Sequence, residues 1–383
     1  MEKLLLLYLG CVFLMYLSQL YYPVKYDLQG RQGSRANFLL EKSDIFMAVA
    51  IFWISAFSFL RTSYNDTVHY IYGFRTAVSV AEGWAEGLFT DWTRNPLSML
   101  YRSIIHDLTD NYHVYFLFPA WMSSFAVIKL IKRYSVNPAF SLLIFFSIGT
   151  YIMYVAALKQ CMAVFFLLMA LPYGIEKKYV RFYLLVMIAM FFHTHAFMFA
   201  IVPLLLGKPW GKVSWAFLGA TIFAMLTYDA TLGAFMEYAQ SLGAMVVEIE
   251  VFDDHQINIL RVLVYWVPAL LAFFFRRRLF RNSTRAENLF VNMSLISAFI
   301  LSIGLVQGAN LYARMAGYFE VATAIALPWM IKKLFTRQSA QIVTILAGIL
   351  YFGYFLFEFT ISKDFGGTYS AITLWQFIVS LFG

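Results

Sequence analysis

Twelve apolar segments of about membrane-spanning length run along the whole chain and restrict what it can fold into. About 20 helical residues cross the ~30 Å hydrocarbon core of a bilayer, where only helices and closed barrels satisfy the backbone polar groups. With 61% hydrophobic and 13% charged residues, the 383-residue chain has too little polar surface for a soluble domain. The predicted segments are residues 4–22, 44–61, 112–130, 137–154, 160–175, 179–192, 194–207, 213–228, 258–275, 288–306, 312–331 and 339–360.

We therefore predict an all-α polytopic membrane protein with about 11 to 12 transmembrane helices. No internal repeat, low-complexity tract or linker divides the chain, so residues 1–383 are interpreted as one integral membrane domain. Residues 179–207 are compatible with one long tilted helix or with two short halves that meet at Phe192–His195. We predict the two halves, because a single span would place Lys208 and Lys212 on the outer side.

The basic residues predict an orientation. Lys and Arg close to segment ends are retained on the cytoplasmic side of a membrane, and 20 of the 29 lie in six loops that alternate along the chain. With both termini outside, these are Lys25, Arg31, Arg35, Lys42, Lys129, Lys132, Arg133, Lys177, Lys178, Arg181, Lys208, Lys212, Arg276, Arg277, Arg278, Arg281, Arg285, Lys332, Lys333 and Arg337.

Two long loops are then expected on the outer face, at residues 62–111 and 229–257. The first should contain two interfacial helices, one aligning Tyr70 and Phe74, and one beginning at Asn95 and Pro96 with a leucine- and isoleucine-rich face. The second is acidic, with four carboxylates between residues 248 and 254. We interpret both loops as the roof of a cavity on this face.

Several polar residues gather on this predicted outer face. Cations at hydrocarbon depth cost about 2.5 to 3.5 kcal/mol each, so several in one leaflet indicate an anionic partner, such as a lipid-linked diphosphate. The candidates are Arg61, Asp66, Lys159, Gln160, His193, His195, Arg261, Arg314, Tyr318 and Glu320.

Each candidate also has a purely structural explanation. Arg61, Arg261 and Arg314 lie close enough to helix ends to extend into water as anchors. The histidines are equally compatible with interhelical hydrogen bonds, and Asp66 with a helix cap. Lys159 has less freedom, because it lies in a tight turn between two packed helices.

Other functional classes lack support in the sequence. His193 and His195 are two residues apart, so they cannot share a helix face as a zinc pair does, and we predict no metal site and no cofactor. No phosphate-binding loop or dinucleotide fingerprint is present. The net charge of +8 is distributed by topology, without a basic aromatic patch, so we expect no nucleic-acid partner.

Four stretches in succession resemble the EpsG-type, Wzy-like polysaccharide polymerases. Lys159 stands where that family usually has Arg, and His195 where it usually has Ser or a similar small residue. The stretches are Arg61–Phe74 (RTSYNDTVHYIYGF), Ala157–Ala163 (ALKQCMA), Phe192–Ala196 (FHTHA) after Lys177 and Lys178, and Arg314–Tyr318 (RMAGY).

The resemblance implies an enzyme that joins oligosaccharide repeat units carried on undecaprenyl diphosphate, during synthesis of O antigen, capsule or exopolysaccharide. It implies a GT-C-like fold in the bacterial cytoplasmic (inner) membrane, with the site on the periplasmic or extracellular face and no metal or nucleotide sugar. A chain-length regulator protein becomes a candidate partner.

Within this family interpretation, the residues take distinct roles. We assign His193 as the base, with Asp66 as the second candidate. Tyr70, His195 and Tyr318 are predicted to contact the glycan. The predicted diphosphate ligands are Arg61, Lys159, Gln160, Arg261 and Arg314.

Three other functions stay open at this stage. A multipass acyltransferase that modifies a surface glycan also uses an intramembrane histidine, although its acyl donor would approach from the cytoplasm. A lipid-linked glycan transporter or flippase predicts charges in both leaflets and internal pseudo-symmetry. A ligase that moves finished glycan differs from a polymerase only in its acceptor.

Overall fold

The computed structural model describes residues 2–23, 44–91, 95–228, 230, 256–362 and 368–382. Within these residues the protein is built from α-helices, one 3₁₀ helix and one small strand pair. The α-helices are α1 (Glu2–Tyr21), α2 (Ile45–Phe59), α3 (Thr67–Arg75), α4 (Val80–Ala85), α5 (Pro96–Leu108), α6 (Tyr112–Tyr134), α7 (Pro138–Ser147), α8 (Thr150–Ala156), α9 (Leu158–Ile175), α10 (Tyr179–Phe192), α11 (Lys212–Leu226), α12 (Ile259–Phe274), α13 (Arg276–Leu279), α14 (Arg285–Ile303), α15 (Ala309–Ala316), α16 (Val321–Leu334), α17 (Arg337–Thr360) and α18 (Leu374–Val379).

The all-α polytopic prediction is confirmed. Among the described residues, five helices are long and apolar enough to cross a membrane, and a sixth span is added if the bent pair α7 and α8 is counted as one. The five are α1, α6, α9, α14 and α17. Each of the twelve predicted segments overlaps at least one helix, but segments 137–154 and 312–331 are each divided between two helices. Apart from the five spans, the helices in these segments are shorter than a full span. The GT-C-like part of the prediction stays a prediction.

Two of the spans are broken where the backbone leaves the helical region. A 58° bend separates α7 from α8, at Gly149, whose φ of +82° is readily adopted only without a side chain. The second break separates α10 from the 3₁₀ helix (Thr194–Leu206), and His193 between them is extended, with φ −153° and ψ 111°. The two predicted halves of residues 179–207 are therefore present.

The predicted single helix over 312–331 is wrong. The chain forms α15 and α16 instead, joined by a turn that contains Tyr318. At Gly317 a Cβ atom would lie 3.2 Å from the Arg314 carbonyl oxygen and 3.2 Å from the Gln160 side-chain nitrogen. This close packing at the turn depends on a residue without a side chain.

The segment 62–111, predicted to be an outer loop, contains three helices where two were predicted. The helices α3 and α5 match the prediction, and α5 begins at Pro96 as expected. The additional helix is α4, which a capping box between Ser79 and Glu82 starts. The acidic part of the 229–257 loop, and the basic residues Lys25, Arg31, Arg35 and Lys42, lie outside the described residues.

The C-terminal segment returns to the end of α2. Strand β1 (Arg61–Ser63) pairs antiparallel with β2 (Ser370–Ala371). The ring of Tyr369 stacks on Phe57 at a centroid distance of 4.0 Å, and its hydroxyl donates to the Phe57 carbonyl. Residues 368–382 therefore lie at the same end of the bundle as Arg61.

A buried ion pair stabilises the opposite end of α2. Lys132 Nζ lies 3.0 Å from Asp44 Oδ2 and donates to the Ser18 carbonyl at 2.8 Å, with both charged side chains about 95% enclosed. Ser18 Oγ donates to the same carboxylate at 2.6 Å. Lys129 and Lys132, which were predicted to lie in a loop, are buried because α6 continues to Tyr134.

We expect Asp44→Ala to reduce the free energy of unfolding by about 3–5 kcal/mol, since it leaves the Lys132 ammonium buried without its counter-charge. Thermal unfolding in detergent measures the loss. The control is Glu176→Ala, which breaks the exposed pair with Lys178 and should cost at most about 1 kcal/mol. Equal losses of unfolding free energy in the two variants would show that the buried ion pair does not stabilise the fold more than the exposed one.

Candidate active site

The polar residues predicted from the sequence converge on one end of the bundle. The side chains of His195, Lys159 and Arg314 all lie within electrostatic range of His193. Arg314 and Asp66 are in turn within range of Tyr70. These residues come from α3, α9, α15 and the break after α10, so four distant parts of the chain form one site.

An ion pair joins Asp66 to Arg314. The Arg314 Nη2 atom lies 3.2 Å from Asp66 Oδ2, and the side chains are 30% and 43% exposed, respectively. Asp66 stands before α3 but makes no capping hydrogen bond there, so its carboxylate orients the guanidinium. The backbone of Arg314 is held as well, because Gln160 Nε2 donates to its carbonyl at 2.7 Å.

The N-terminus of α9 lies beside Tyr70 and the Arg314 backbone. Tyr70 hydroxyl accepts the Leu158 backbone N–H at 3.1 Å, and Lys159 follows in the first helical turn. Burial raises the pKa of Tyr70 to about 12, so the phenol keeps its proton at neutral pH and can donate it. A helix N-terminus with a lysine and a phenol provides a site for an anion.

His193 is held by Tyr318. Tyr318 Oη lies 2.5 Å from His193 Nδ1, and the ring of His195 lies 5.1 Å from that of His193. Burial first, and then the nearby charges of His195, Lys159 and Arg314, lower the pKa of His193 well below its usual 6.5. The imidazole is therefore neutral at physiological pH and has one nitrogen that can accept a proton.

Asn95 anchors the turn that carries both histidines, a role that the sequence analysis missed. Its side-chain oxygen accepts from Thr194 N at 2.7 Å and from Thr194 Oγ1 at 3.0 Å. Its backbone is left-handed, with φ 56° and ψ 61°. The sequence indicated only a helix start here, because no local pattern shows that α5 meets residue 194.

Arg61 lies beneath the site and is completely enclosed. The guanidinium donates to the Ser58 carbonyl at 2.5 Å, to Thr67 Oγ1 at 2.7 Å and to the Val155 carbonyl at 3.2 Å. Its Cζ atom also lies 4.4 Å from the centroid of the Phe116 ring. These contacts are all with the protein and favour a structural role over diphosphate binding.

Arg261 also lies close to acidic side chains of the protein. It is within electrostatic range of Glu320 and Glu358, whose side chains are fully buried. This position favours neutralisation of Arg261 inside the bundle. Of the four predicted cationic ligands, Lys159 and Arg314 are those that the structure brings to the histidines.

The arrangement is suited to stabilising an anion beside a neutral base. Lys159, Arg314 and the α9 N-terminus supply positive potential, and His193 can accept a proton a short distance away. Among the residues that the structure describes, no group of three or more His, Cys, Asp and Glu side chains could hold a metal ion.

Comparison with known proteins shows a family match that spans most of the chain. The model of the EpsG family aligns with residues 44–375. No curated protein and no solved structure matches the chain.

We expect Asn95→Ala to loosen the turn at Thr194, because two hydrogen bonds of about 0.5–1.5 kcal/mol each are lost. Hydrogen–deuterium exchange of the Thr194 amide should become roughly tenfold faster. The matched control is Asn258→Ala, which removes a side-chain cap from α12. An unchanged rate at Thr194 in Asn95→Ala would show that Asn95 does not hold the turn.

Proposed function

Because this chain belongs to the EpsG family, we propose that it is a polysaccharide polymerase acting on undecaprenyl-diphosphate-linked glycans. It transfers the growing chain from its lipid diphosphate to a hydroxyl of the next lipid-linked repeat unit. One observation carries this proposal: Lys159 and Arg314 lie within electrostatic range of His193, whose ring Tyr318 holds, at one end of a membrane bundle.

The leaving group explains the two cations. When the bond between the anomeric carbon and the phosphate oxygen breaks, its electron pair goes to the diphosphate, whose negative charge increases. Preorganised donors are most effective where charge develops. Lys159, Arg314 and the α9 N-terminus are such donors, and the Tyr70 hydroxyl adds a neutral one. Gln160 contributes by fixing the Arg314 backbone.

Asp66 orients Arg314 in this mechanism. Its Oδ2 atom lies 3.2 Å from Arg314 Nη2. We assign Asp66 to holding the Arg314 side chain, and the role of the base to His193.

His193 Nε2 takes the proton of the acceptor hydroxyl, and the hydroxyl oxygen attacks the anomeric carbon. This requires the tautomer in which Nδ1–H donates to Tyr318 Oη, so that Nε2 is left unprotonated. The 2.5 Å contact with Tyr318 holds the ring in that orientation. His195, whose ring is 5.1 Å from that of His193, is then placed to contact the sugar.

The remaining parts of the proposal concern place and partners. The distribution of Lys and Arg supports a bacterial cytoplasmic (inner) membrane protein with this site on the outer face. The helices α3, α4 and α5 cover the approach, and Trp84 and Tyr72 are exposed there, which suits stacking on sugars. The polymer is O antigen, capsule or exopolysaccharide, and a chain-length regulator is a candidate partner.

We expect Arg314→Ala and Lys159→Ala each to lower the polymerisation rate by about 10²–10³-fold, because each removes charge stabilisation from the leaving diphosphate. Purified protein with synthetic undecaprenyl-diphosphate repeat unit should produce a ladder of longer glycans, which gel electrophoresis resolves. The control is Arg75→Ala, an exposed arginine beside Tyr112. Full polymer from both site variants would exclude the cation role.

For the base, His193→Ala should lower the rate by about 10²–10⁴-fold while lipid-linked donor still binds. Since the pKa of His193 is lowered, the wild-type rate should stay constant as the pH falls through 6.5 and decline only at lower pH. The initial rate of glycan extension across pH measures this. A decline already centred at or above pH 6.5 would exclude His193 as the base.

A further inference from the structure

Ten basic residues from three separate loops meet around the N-terminus of α14. They are far apart in the chain, and the loops carrying them end different helices. We call this set the basic surface, and it consists of Lys208, Lys212, Arg276, Arg277, Arg278, Arg281, Arg285, Lys332, Lys333 and Arg337.

The side chains of α14 hold the loops together. Asn292 Nδ2 donates to the carbonyls of Leu205 at 2.7 Å and Gly207 at 2.8 Å, which fixes the loop before Lys208. On the other side, Glu287 Oε1 accepts from Trp329 Nε1 at 2.6 Å, three residues before Lys332.

The loop between α12 and α14 is a folded structure. The ring of Phe280 stacks on Trp329 at a centroid distance of 6.0 Å, and Leu279 and Phe280 are buried. Ser283 Oγ donates to Asn288 Oδ1 at 2.7 Å. Binding to this loop therefore requires little ordering of the backbone.

The positive charge is not balanced within these segments. Glu287 is the one acidic residue in the three segments, which are residues 205–212, 274–292 and 328–340. Its carboxylate is engaged twice, by Trp329 and by the Thr284 backbone N–H at 2.6 Å in a capping box. The whole chain has a net charge of +8, so this one surface carries a positive charge comparable to that of the entire protein.

Exposed aromatic rings border the arginines. Phe274 is 72% exposed, and Phe275 and Phe335 are also exposed. Arg276, Arg277 and Arg278 are exposed directly beside them, with the Arg276 guanidinium 5.0 Å from the Phe273 ring centroid. At the boundary between acyl chains and phosphate headgroups, apolar side chains can contact the acyl chains while neighbouring arginine guanidinium groups bind the phosphates.

We propose that the basic surface is a binding site for anionic phospholipids, which holds their phosphate headgroups against Arg276, Arg277 and Arg278. The exposed phenylalanines contact the acyl chains. The flanking lysines and arginines of the other two loops extend the positive potential across the headgroup layer. This inference does not depend on the polymerase proposal.

The test uses the purified full-length chain in an uncharged detergent. Adding phosphatidylglycerol should raise the unfolding temperature, followed by tryptophan fluorescence, whereas phosphatidylcholine with the same acyl chains should not. Because the attraction is between charges, about 1 M NaCl, at which the Debye length is about 3 Å, should abolish the difference. These measurements need no variant.

A triple variant locates the site. The variant Arg276→Gln, Arg277→Gln, Arg278→Gln should lose roughly half or more of the phosphatidylglycerol shift. The matched control is Lys177→Gln, Lys178→Gln, Arg181→Gln, which removes three basic residues from another loop and should keep the full shift.

Four results would overturn the proposal. They are an equal shift with phosphatidylcholine, a full shift in the Arg276–Arg278 variant, an equal shift with inorganic phosphate, and an equal shift with a short DNA duplex at the same salt. The last two would assign the surface to free phosphate or to polyanions in general. If the variant does not fold, the lipid and salt measurements on the unaltered chain decide.

Discussion

A single guanidinium that has no access to water organises the site end of the molecule. Arg61 must find its hydrogen-bond acceptors inside the protein, because a buried cation without them would cost several kcal/mol. It finds them on Ser58, Thr67 and Val155, which belong to the end of α2, the start of α3 and the end of α8. Those three elements lead directly to Asp66, Tyr70 and Lys159, so the position of each depends on Arg61 being satisfied.

The candidate site residues lie where helices stop. His193 lies between α10 and the 3₁₀ helix, Tyr318 lies between α15 and α16, and Lys159 follows the short gap after α8. In a continuous helix the side chains project outward from the helix axis, and the backbone N–H and C=O groups are used in intrahelical hydrogen bonds. The breaks instead allow Tyr318 to reach His193, and Gln160 to hold the Arg314 carbonyl.

The two concentrations of charge are separated along α16. Tyr318 precedes this helix at the site, whereas Lys332 and Lys333 end it at the basic surface. Fourteen residues of helix span about 21 Å. At the site, Asp66 and the helix ends hold the cations in defined positions, which suits the binding of a single anion. The basic surface instead has many exposed cations and one carboxylate, Glu287, which suits contact with a layer of headgroups.

The sequence by itself determined the helical membrane class, the positions of the apolar segments and the break at His193, because hydrophobic length and loop charge are local properties. Resemblance in four short stretches identified the family. The tertiary structure alone decided which cations interact with buried groups of the protein and which lie near the histidines. Arg61 and Arg314 look alike in the sequence, and only their neighbours from distant helices distinguish a buried arginine from a partly exposed one beside the histidines. The same reason explains the turn at Tyr318 and the anchoring of Thr194 by Asn95, since both are contacts between residues far apart in the chain.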